Sequence, residues 1–101
     1  MFFRGGIRIG SSFLNSINFS WPFVKVMFED DCFRIVISFV SSKEYIILYK
    51  NVIKISYKRG IFSEGVIIEH NMPFVPLYII FWTSKVDSFL QLCKNNNIPI
   101  E

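Results

Sequence analysis

Two adjacent stretches, LYIIFW at residues 77–82 and VDSFLQLC at residues 86–93, decide how this chain folds. The first is apolar on both faces of an extended chain, which is typical of a buried strand. The second repeats apolar residues at the spacing of an amphipathic helix, i, i+3, i+4 and i+7: Val86, Phe89, Leu90 and Cys93. We therefore predict a buried strand followed by one helix over residues 84–95, with Thr83 or Ser84 as its N-cap.

Upstream of these stretches, from Trp21 onward, apolar residues mostly recur at every second position, which is the period of a β-strand. The polar turn at residues 29–32 separates two such runs. One hairpin register brings every large apolar side chain of both runs onto the same face. Its pairs are Phe28 with Phe33, Val26 with Ile35, and Val24 with Ile37.

A second hairpin follows a strand at residues 45–49. Residues 53–58 alternate between apolar and polar, and residues 65–70 form the next strand. A loop at residues 60–63 aligns apolar with apolar and base with acid: Tyr57 with Val66, Ile55 with Ile68, Lys54 with Glu69, and Arg59 with Glu64. The predicted fold class is α+β, mainly β: a bent antiparallel sheet or partly open barrel of about six or seven strands, capped by one C-terminal α-helix.

Residues 1–20 carry the weakest pattern, because Gly5, Gly6 and Gly10 interrupt every period. Residues 13–17 fit either a short helical turn or a distorted strand. We treat residues 1–20 as a lead-in that covers the core of a single domain spanning residues 1–101. The glycine-rich segment of residues 4–10 has two interpretations: its backbone could cradle a phosphate, or it could bend a strand.

The composition favours a protein that binds over one that catalyses. The apolar fraction is 51% and the charged fraction is 19% of 101 residues, and so small a domain cannot hide all of its large apolar side chains. We expect a protein partner or self-association, through an edge strand or through residues 72–76 together with the lead-in. The net charge of +3 is too small to predict nucleic-acid binding.

Four basic residues on and beside one predicted strand form the candidate surface for an anion or an acidic partner: Lys50, Lys54, Lys58 and Arg59. We name them the basic strand face. Lys54 and Lys58 point the same way, because strand side chains repeat every second residue. The alternative interpretation is that Glu64 and Glu69 on the neighbouring strand neutralise part of this face in weak, solvated pairs. The pairing register distinguishes the two.

No pattern predicts a catalytic, cofactor or metal site, and no small-molecule substrate is predicted. Cys32 and Cys93 lack a CxxC spacing, so we expect two buried, reduced thiols. His70 stands at a strand end with no nucleophile at a recognisable spacing. The carboxylates of residues 29–31 are adjacent and not spaced as calcium ligands, which indicates a solvated turn. We therefore expect a protein that is not an enzyme.

The longest strongly apolar run, residues 72–82, contains Pro73 and Pro76 and is too short to cross a membrane as a helix. Glycines near the start of the chain interrupt what would have to be the apolar core of a signal peptide. Together with the unpaired cysteines, these features lead us to expect a cytoplasmic protein.

Three features within residues 21–100 carry a family resemblance: the acidic turn after Trp21-Pro22-Phe23, the strand start at residues 47–53, and the terminal helix. In this arrangement the chain resembles the pleckstrin-homology-like (PH-like) superfold, and most of all its small bacterial members. The resemblance implies a strongly bent barrel whose open end is covered by the C-terminal helix.

The same resemblance implies a function, the binding of an anionic lipid headgroup by basic residues around the loop that joins the first two strands. The matching turn in this chain is residues 29–31, where three carboxylates, with only Lys25 and Arg34 nearby, would repel a phosphate. We therefore expect a PH-like interaction or assembly module that binds a protein or self-associates. The alternative is a peripheral membrane module that binds anionic headgroups through the basic strand face.

Overall fold

The computed structural model describes residues 1–39 and 41–101. One α-helix, α1 (Val86–Asn95), follows the last strand, and a 3-10 turn, Tyr49–Asn51, joins the fourth and fifth strands. The strands are β1 (Phe2–Gly10), β2 (Ser16–Phe28), β3 (Cys32–Ser38), β4 (Ser42–Leu48), β5 (Val52–Arg59), β6 (Glu64–His70) and β7 (Tyr78–Trp82). Neither described helix is long and apolar enough to cross a membrane.

All seven strands belong to one antiparallel sheet with the order β4-β3-β2-β1-β7-β6-β5. The sheet curls into a half-barrel, and α1 caps it. Its inner face holds the core, because side chains alternate between faces along each strand and the inward set is apolar. The predicted α+β, mainly β architecture with one C-terminal helix is confirmed.

Both predicted hairpin registers are confirmed. In the β2–β3 hairpin the pairs are Phe28 with Phe33, Val26 with Ile35, and Val24 with Ile37. In the β5–β6 hairpin they are Tyr57 with Val66, Ile55 with Ile68, Lys54 with Glu69, and Arg59 with Glu64. One-residue slips would turn the apolar set toward solvent, which is why the period-two pattern fixes these registers.

Helix α1 closes one end of the half-barrel with the side chain of Phe89, which is fully buried. The Phe89 ring centroid lies 5.0–5.9 Å from four phenylalanine rings supplied by four strands. These rings belong to Phe3 of β1, Phe28 of β2, Phe33 of β3 and Phe81 of β7. Aromatic rings at these separations contribute favourable edge and offset contacts in addition to their burial. The apolar spacing read from the sequence therefore does place one helical face on the sheet.

The start of the helix differs from the prediction. We expected Thr83 or Ser84 to cap it, but Lys85 occupies the N-cap position and no side chain caps the first turn. The Thr83 hydroxyl instead accepts a hydrogen bond from the Lys85 backbone N–H at 3.2 Å. At the other end, Asn97 adopts the left-handed conformation with φ 58°, which asparagine tolerates after a helix.

The interpretation of residues 1–20 as a lead-in is wrong. Residues 2–10 are β1, the central strand of the sheet, paired with β2 on one side and β7 on the other. The glycines that obscured the strand pattern of β1 allow close packing against its neighbours. A Cβ on Gly5 would collide with the carbonyl oxygen of Trp82. The β1–β2 register shifts between Gly5 and Ile7, so the glycine-rich segment bends a strand.

The two edge strands, β5 and β4, differ in whether another segment covers their outer edge. The tail at residues 98–101 covers part of β5, where the Ile55 N–H donates to the Pro99 carbonyl at 2.8 Å and the Glu101 N–H donates to the Ile55 carbonyl at 3.0 Å. Strand β4 pairs with β3, and on its other side no strand of the described chain pairs with it. Unpaired backbone groups on such an edge can bind another chain.

Replacing Phe89 with alanine removes the plug and leaves a cavity between helix and sheet. We expect Phe89→Ala to lower the free energy of unfolding by about 3–5 kcal/mol, measured by urea denaturation. The matched control is Phe62→Ala, because Phe62 lies in the β5–β6 turn and is 98% exposed. Phe62→Ala should change the free energy of unfolding by less than about 0.5 kcal/mol. Similar losses in the two variants would contradict this packing.

Candidate functional site

The central residue of the basic strand face, Lys54, has two carboxylate partners. Its Nζ lies 2.6 Å from Oε2 of Glu101 and 3.9 Å from Oε1 of Glu69. The hydrogen bond to Glu101 and the charges of both carboxylates raise the pKa of Lys54, and the same hydrogen bond lowers the pKa of Glu101. Lys54 is therefore partly neutralised, by Glu69 as the register predicted and by Glu101 in addition.

The other three residues of the basic strand face are exposed and spread over two elements. Lys50 lies in the 3-10 turn, whereas Lys58 and Arg59 lie at the far end of β5. Arg59 stands opposite Glu64 in the register, but the pair is not within ion-pair distance in the described part of the chain. The structure thus brings Lys54 and Lys58 onto one strand face and leaves Lys50 outside it.

Removing the carboxylates that face Lys54 should strengthen any binding of anions by the basic strand face. We expect Glu69→Gln/Glu101→Gln to sediment with phosphatidylserine vesicles more than a control of identical net charge, Asp30→Asn/Asp31→Asn. The difference should shrink between low and physiological salt, because exposed charges are screened. Equal sedimentation of the two variants would show that net charge alone, and not this face, governs the interaction.

The acidic turn lies between β2 and β3, which corrects its assignment to the loop that joins the first two strands. That loop is residues 11–15, because β1 precedes β2. In the acidic turn, Arg34 bridges Glu29 and Glu44, with its Nη2 3.0 Å from Oε1 of Glu29. The hydrogen bond from Arg34 lowers the pKa of Glu29. The expected repulsion of a phosphate therefore does not apply to the first loop, which carries no acidic residue.

His70 has a structural role at the end of β6. Its Nδ1 accepts a hydrogen bond from the Met72 N–H at 3.0 Å, so Nε2 carries the proton and donates to the Pro76 carbonyl at 2.9 Å. The ring thereby holds the loop before β7 in place. Within the described residues, no cluster of three or more His, Cys, Asp or Glu side chains could hold a metal ion.

Both cysteine thiols are buried and unpaired. Burial raises the pKa of Cys93 to about 12. Burial, followed by the hydrogen bond to Glu29, raises the pKa of Cys32 to about 11. A thiol with so high a pKa is a poor nucleophile at neutral pH.

The folded protein should therefore resist thiol reagents. We expect negligible reaction of Cys32 and Cys93 with a disulfide reagent such as DTNB at neutral pH, followed by the release of two equivalents once urea unfolds the chain. The unfolded protein is the control for reagent activity. Rapid labelling of either thiol in the native state would contradict the assigned burial.

A different surface gathers residues that the sequence did not connect. The β1–β2 loop (residues 11–15), the β3–β4 connection and the β6–β7 loop (residues 71–77) border one opening of the half-barrel, which we name the loop end. Of the fifteen exposed large apolar side chains in the described residues, six lie in these loops and at the strand position beside them: Phe13, Leu14, Ile17, Phe39, Phe74 and Leu77. This surface includes residues 72–76 and part of the former lead-in, which the composition had suggested as a contact region.

The loop end opens into a cavity of about 390 Å³. Its lining is mostly apolar, with Ile9, Ile17, Phe19, Ile37 and Tyr45 from the strands and Pro76 from the β6–β7 loop. Three polar residues also line it: Asn15, Ser41 and Lys43. The inward direction of Lys43 follows from its pairing with the buried Ile37, since directly opposed residues share a face.

The charge at the loop end is positive. The sequence has no Asp or Glu before Glu29, and none between residues 70 and 86. Arg8 fastens the first loop, since its Nη2 donates to the Phe13 carbonyl at 2.7 Å and its guanidinium lies 4.1 Å from the Phe13 ring centroid. Lys43 lies 5.3 Å from the Tyr45 ring centroid, and it makes no ion pair within residues 1–39 and 41–101.

A second depression, of about 480 Å³, lies at the bend of β1 between Trp21 and Trp82. Arg4 lines it, but its guanidinium is engaged with the Pro22 carbonyl at 3.2 Å. The bordering glycines are packed against backbone: a Cβ on Gly6 would lie 2.9 Å from the Phe19 carbonyl oxygen. The glycines thus serve the strand bend.

No protein-family model, curated protein or solved structure matches this chain. Its function is therefore inferred from the geometry of its own residues. The sequence suggested part of the loop end, residues 72–76 with the lead-in, as a contact region, but it did not join them to the β3–β4 connection. The run of 28 residues without an acid before Glu29 is a further signal in the sequence that points to this surface.

Proposed function

We propose that the protein is a non-enzymatic interaction module with a PH-like fold, which binds a second protein chain through the loop end. The observation that carries this proposal is the set of six exposed large apolar side chains there. Leu14 is 88% exposed, Phe39 and Ile17 are each 62% exposed, and Phe74 is fully exposed. Apolar patches of this kind mark surfaces that are covered by a partner.

The free edge of β4 supports the same proposal. This strand runs to the loop end, and its first three residues are exposed. A partner strand added there would satisfy its unpaired backbone groups while its side chains met the apolar loops. The opposite edge strand, β5, is less suited, because the tail occupies its middle.

The shape of the chain supports the PH-like part of the proposal. Seven antiparallel strands in a curled half-barrel, capped by one C-terminal helix, are consistent with that superfold. The fold does not define a reaction, because sites and not folds carry chemistry. An interaction module requires no convergent catalytic groups, and the loop end offers an apolar surface with isolated cations.

Self-association is the form of this proposal that can be tested with the chain alone. We expect light scattering across a concentration series to show a dimer or larger species. Leu14→Ser/Leu77→Ser should weaken association by about tenfold or more. The control Ile61→Ser/Phe62→Ser removes two even more exposed apolar side chains from the β5–β6 turn and should leave association unchanged.

Two results would count against this proposal. A strict monomer at the highest soluble concentration would exclude self-association. Equal weakening by the loop-end variant and the turn variant would exclude the loop end as the contact surface. Circular dichroism on each variant separates a loss of contact from a loss of folding.

The alternative proposal is a peripheral membrane module. The partial neutralisation of Lys54 by Glu69 and Glu101 disfavours the basic strand face as its contact surface. The loop end suits an anionic membrane better, because it combines exposed apolar side chains with Arg8 and Lys43 and has no acidic loop residue. Sedimentation with phosphatidylserine vesicles, compared with neutral phosphatidylcholine vesicles, tests it: equal or absent binding would exclude it.

A further inference from the structure

We propose that the loop-end cavity binds a single monomeric fatty acid, with the acyl chain inside the half-barrel and the carboxylate on the amine of Lys43. This inference goes beyond the interaction module, which requires only the outer surface of the loop end. It concerns a small-molecule ligand, which the sequence did not predict. Three properties of the cavity carry it: the shape, the lining and the position of one cation.

The cavity is lined by residues of four strands, β1 to β4, and of the loops beside them, and most of its lining is apolar. Ile9 and Ile37 in this lining are buried, whereas Ile17, which pairs with Ile9 across the β1–β2 ladder, is 62% exposed. Its volume of about 390 Å³ falls in the range of small-ligand sites, about 300–1,000 Å³. An aliphatic chain suits such a wall, because it makes no demand for hydrogen bonds inside.

Lys43 supplies one positive charge at this cavity without an internal partner. It is exposed and stands on the inner side of the edge strand β4. The nearest carboxylate in sequence, Glu44, points to the opposite face and is paired with Arg34. The amine is therefore free to bind an anion that enters with the ligand.

The polar residues near Lys43 select the kind of anion. Asn15 and Ser41 also line the cavity, and these residue types carry an amide and a hydroxyl that can donate hydrogen bonds to carboxylate oxygens. One ammonium and two neutral donors match a single negative charge. A phosphate carries more charge and is typically bound by several cations or by a bidentate arginine, and the cavity lining contains no arginine. A carboxylate on an alkyl chain is the ligand that satisfies both parts of the cavity.

A chain-length series tests the acyl site. Hexanoate, octanoate and decanoate are titrated below their micelle concentrations into isotopically labelled protein, and amide chemical shifts are followed. We expect saturable shifts at loop-end residues and an increase in affinity of about fourfold per added methylene, until the chain fills the cavity. Affinity that does not depend on chain length, or shifts that centre on β5 or α1, would overturn the proposal, as would the absence of binding.

Comparing an acid with its alcohol tests the role of Lys43. Octanoate should bind the native protein several-fold more tightly than 1-octanol, and Lys43→Gln should abolish that preference. The matched control is Lys58→Gln, which removes an exposed lysine outside the loop end and should retain it. A preference that survives in Lys43→Gln would overturn the assignment of the carboxylate to this residue.

A second variant blocks the site of the acyl chain. Ile17→Glu places a negative charge at the cavity mouth, where the side chain is 62% exposed, so the fold should tolerate it. It should eliminate octanoate binding, while an unchanged urea midpoint shows that the protein is intact; retained binding would contradict the site. Because self-association is measured without fatty acid, failure of this proposal is distinguishable from failure of the interaction module.

Discussion

The packing of Phe89 is the constraint on which the rest of the structure depends. One ring from α1 meets phenylalanines of β1, β2, β3 and β7, so a single side chain joins the two halves of the curled sheet. Because the chain supplies only one described α-helix, only one end of the half-barrel receives such a plug. The other end is bordered by loops alone. The contrast between a filled end and an open loop end is therefore a consequence of where the helix packs.

Most of the fold could be predicted because it depends on local periodicity. The β2–β3 and β5–β6 hairpins each combine an apolar alternation with a short polar turn, and only one register buries that alternation. β1 could not be predicted in the same way. In the sequence, the three glycines of this segment suggest a loop: Gly5, Gly6 and Gly10. In the structure, a neighbouring backbone lies so close to each of them that a Cβ atom would collide with it. Because β1 was not predicted, the turn at residues 29–31 was taken for the loop between the first two strands. That loop is residues 11–15, so the expected repulsion of a phosphate does not apply to it.

The candidate site was less accessible to sequence reasoning, because its charges are balanced by tertiary contacts. The pairing of Lys54 with Glu69 follows from a hairpin and could be predicted. The closer partner, Glu101, lies 47 positions away and reaches Lys54 only because the tail pairs with β5. The loop end is a still less local feature, since its exposed apolar residues come from segments that show no common period. What the sequence did carry was composition: an apolar excess too large for a core of this size.

The position of Lys43 affects both proposals, the interaction module and the fatty-acid site. Its charge on the edge strand β4 opposes the addition of a partner strand, and the same charge faces the cavity. An inward-pointing charge on an edge strand is one of the ways by which proteins prevent uncontrolled strand addition. Protection of the edge requires only that an added strand would bury the charge. It would therefore work equally well if the lysine were paired with a carboxylate. In this chain the neighbouring Glu44 is held by Arg34 on the other face, and no loop at this end supplies a substitute. The amine therefore stands beside an apolar cavity without a counter-charge, an arrangement that edge protection does not require and that an anionic amphiphile would complete.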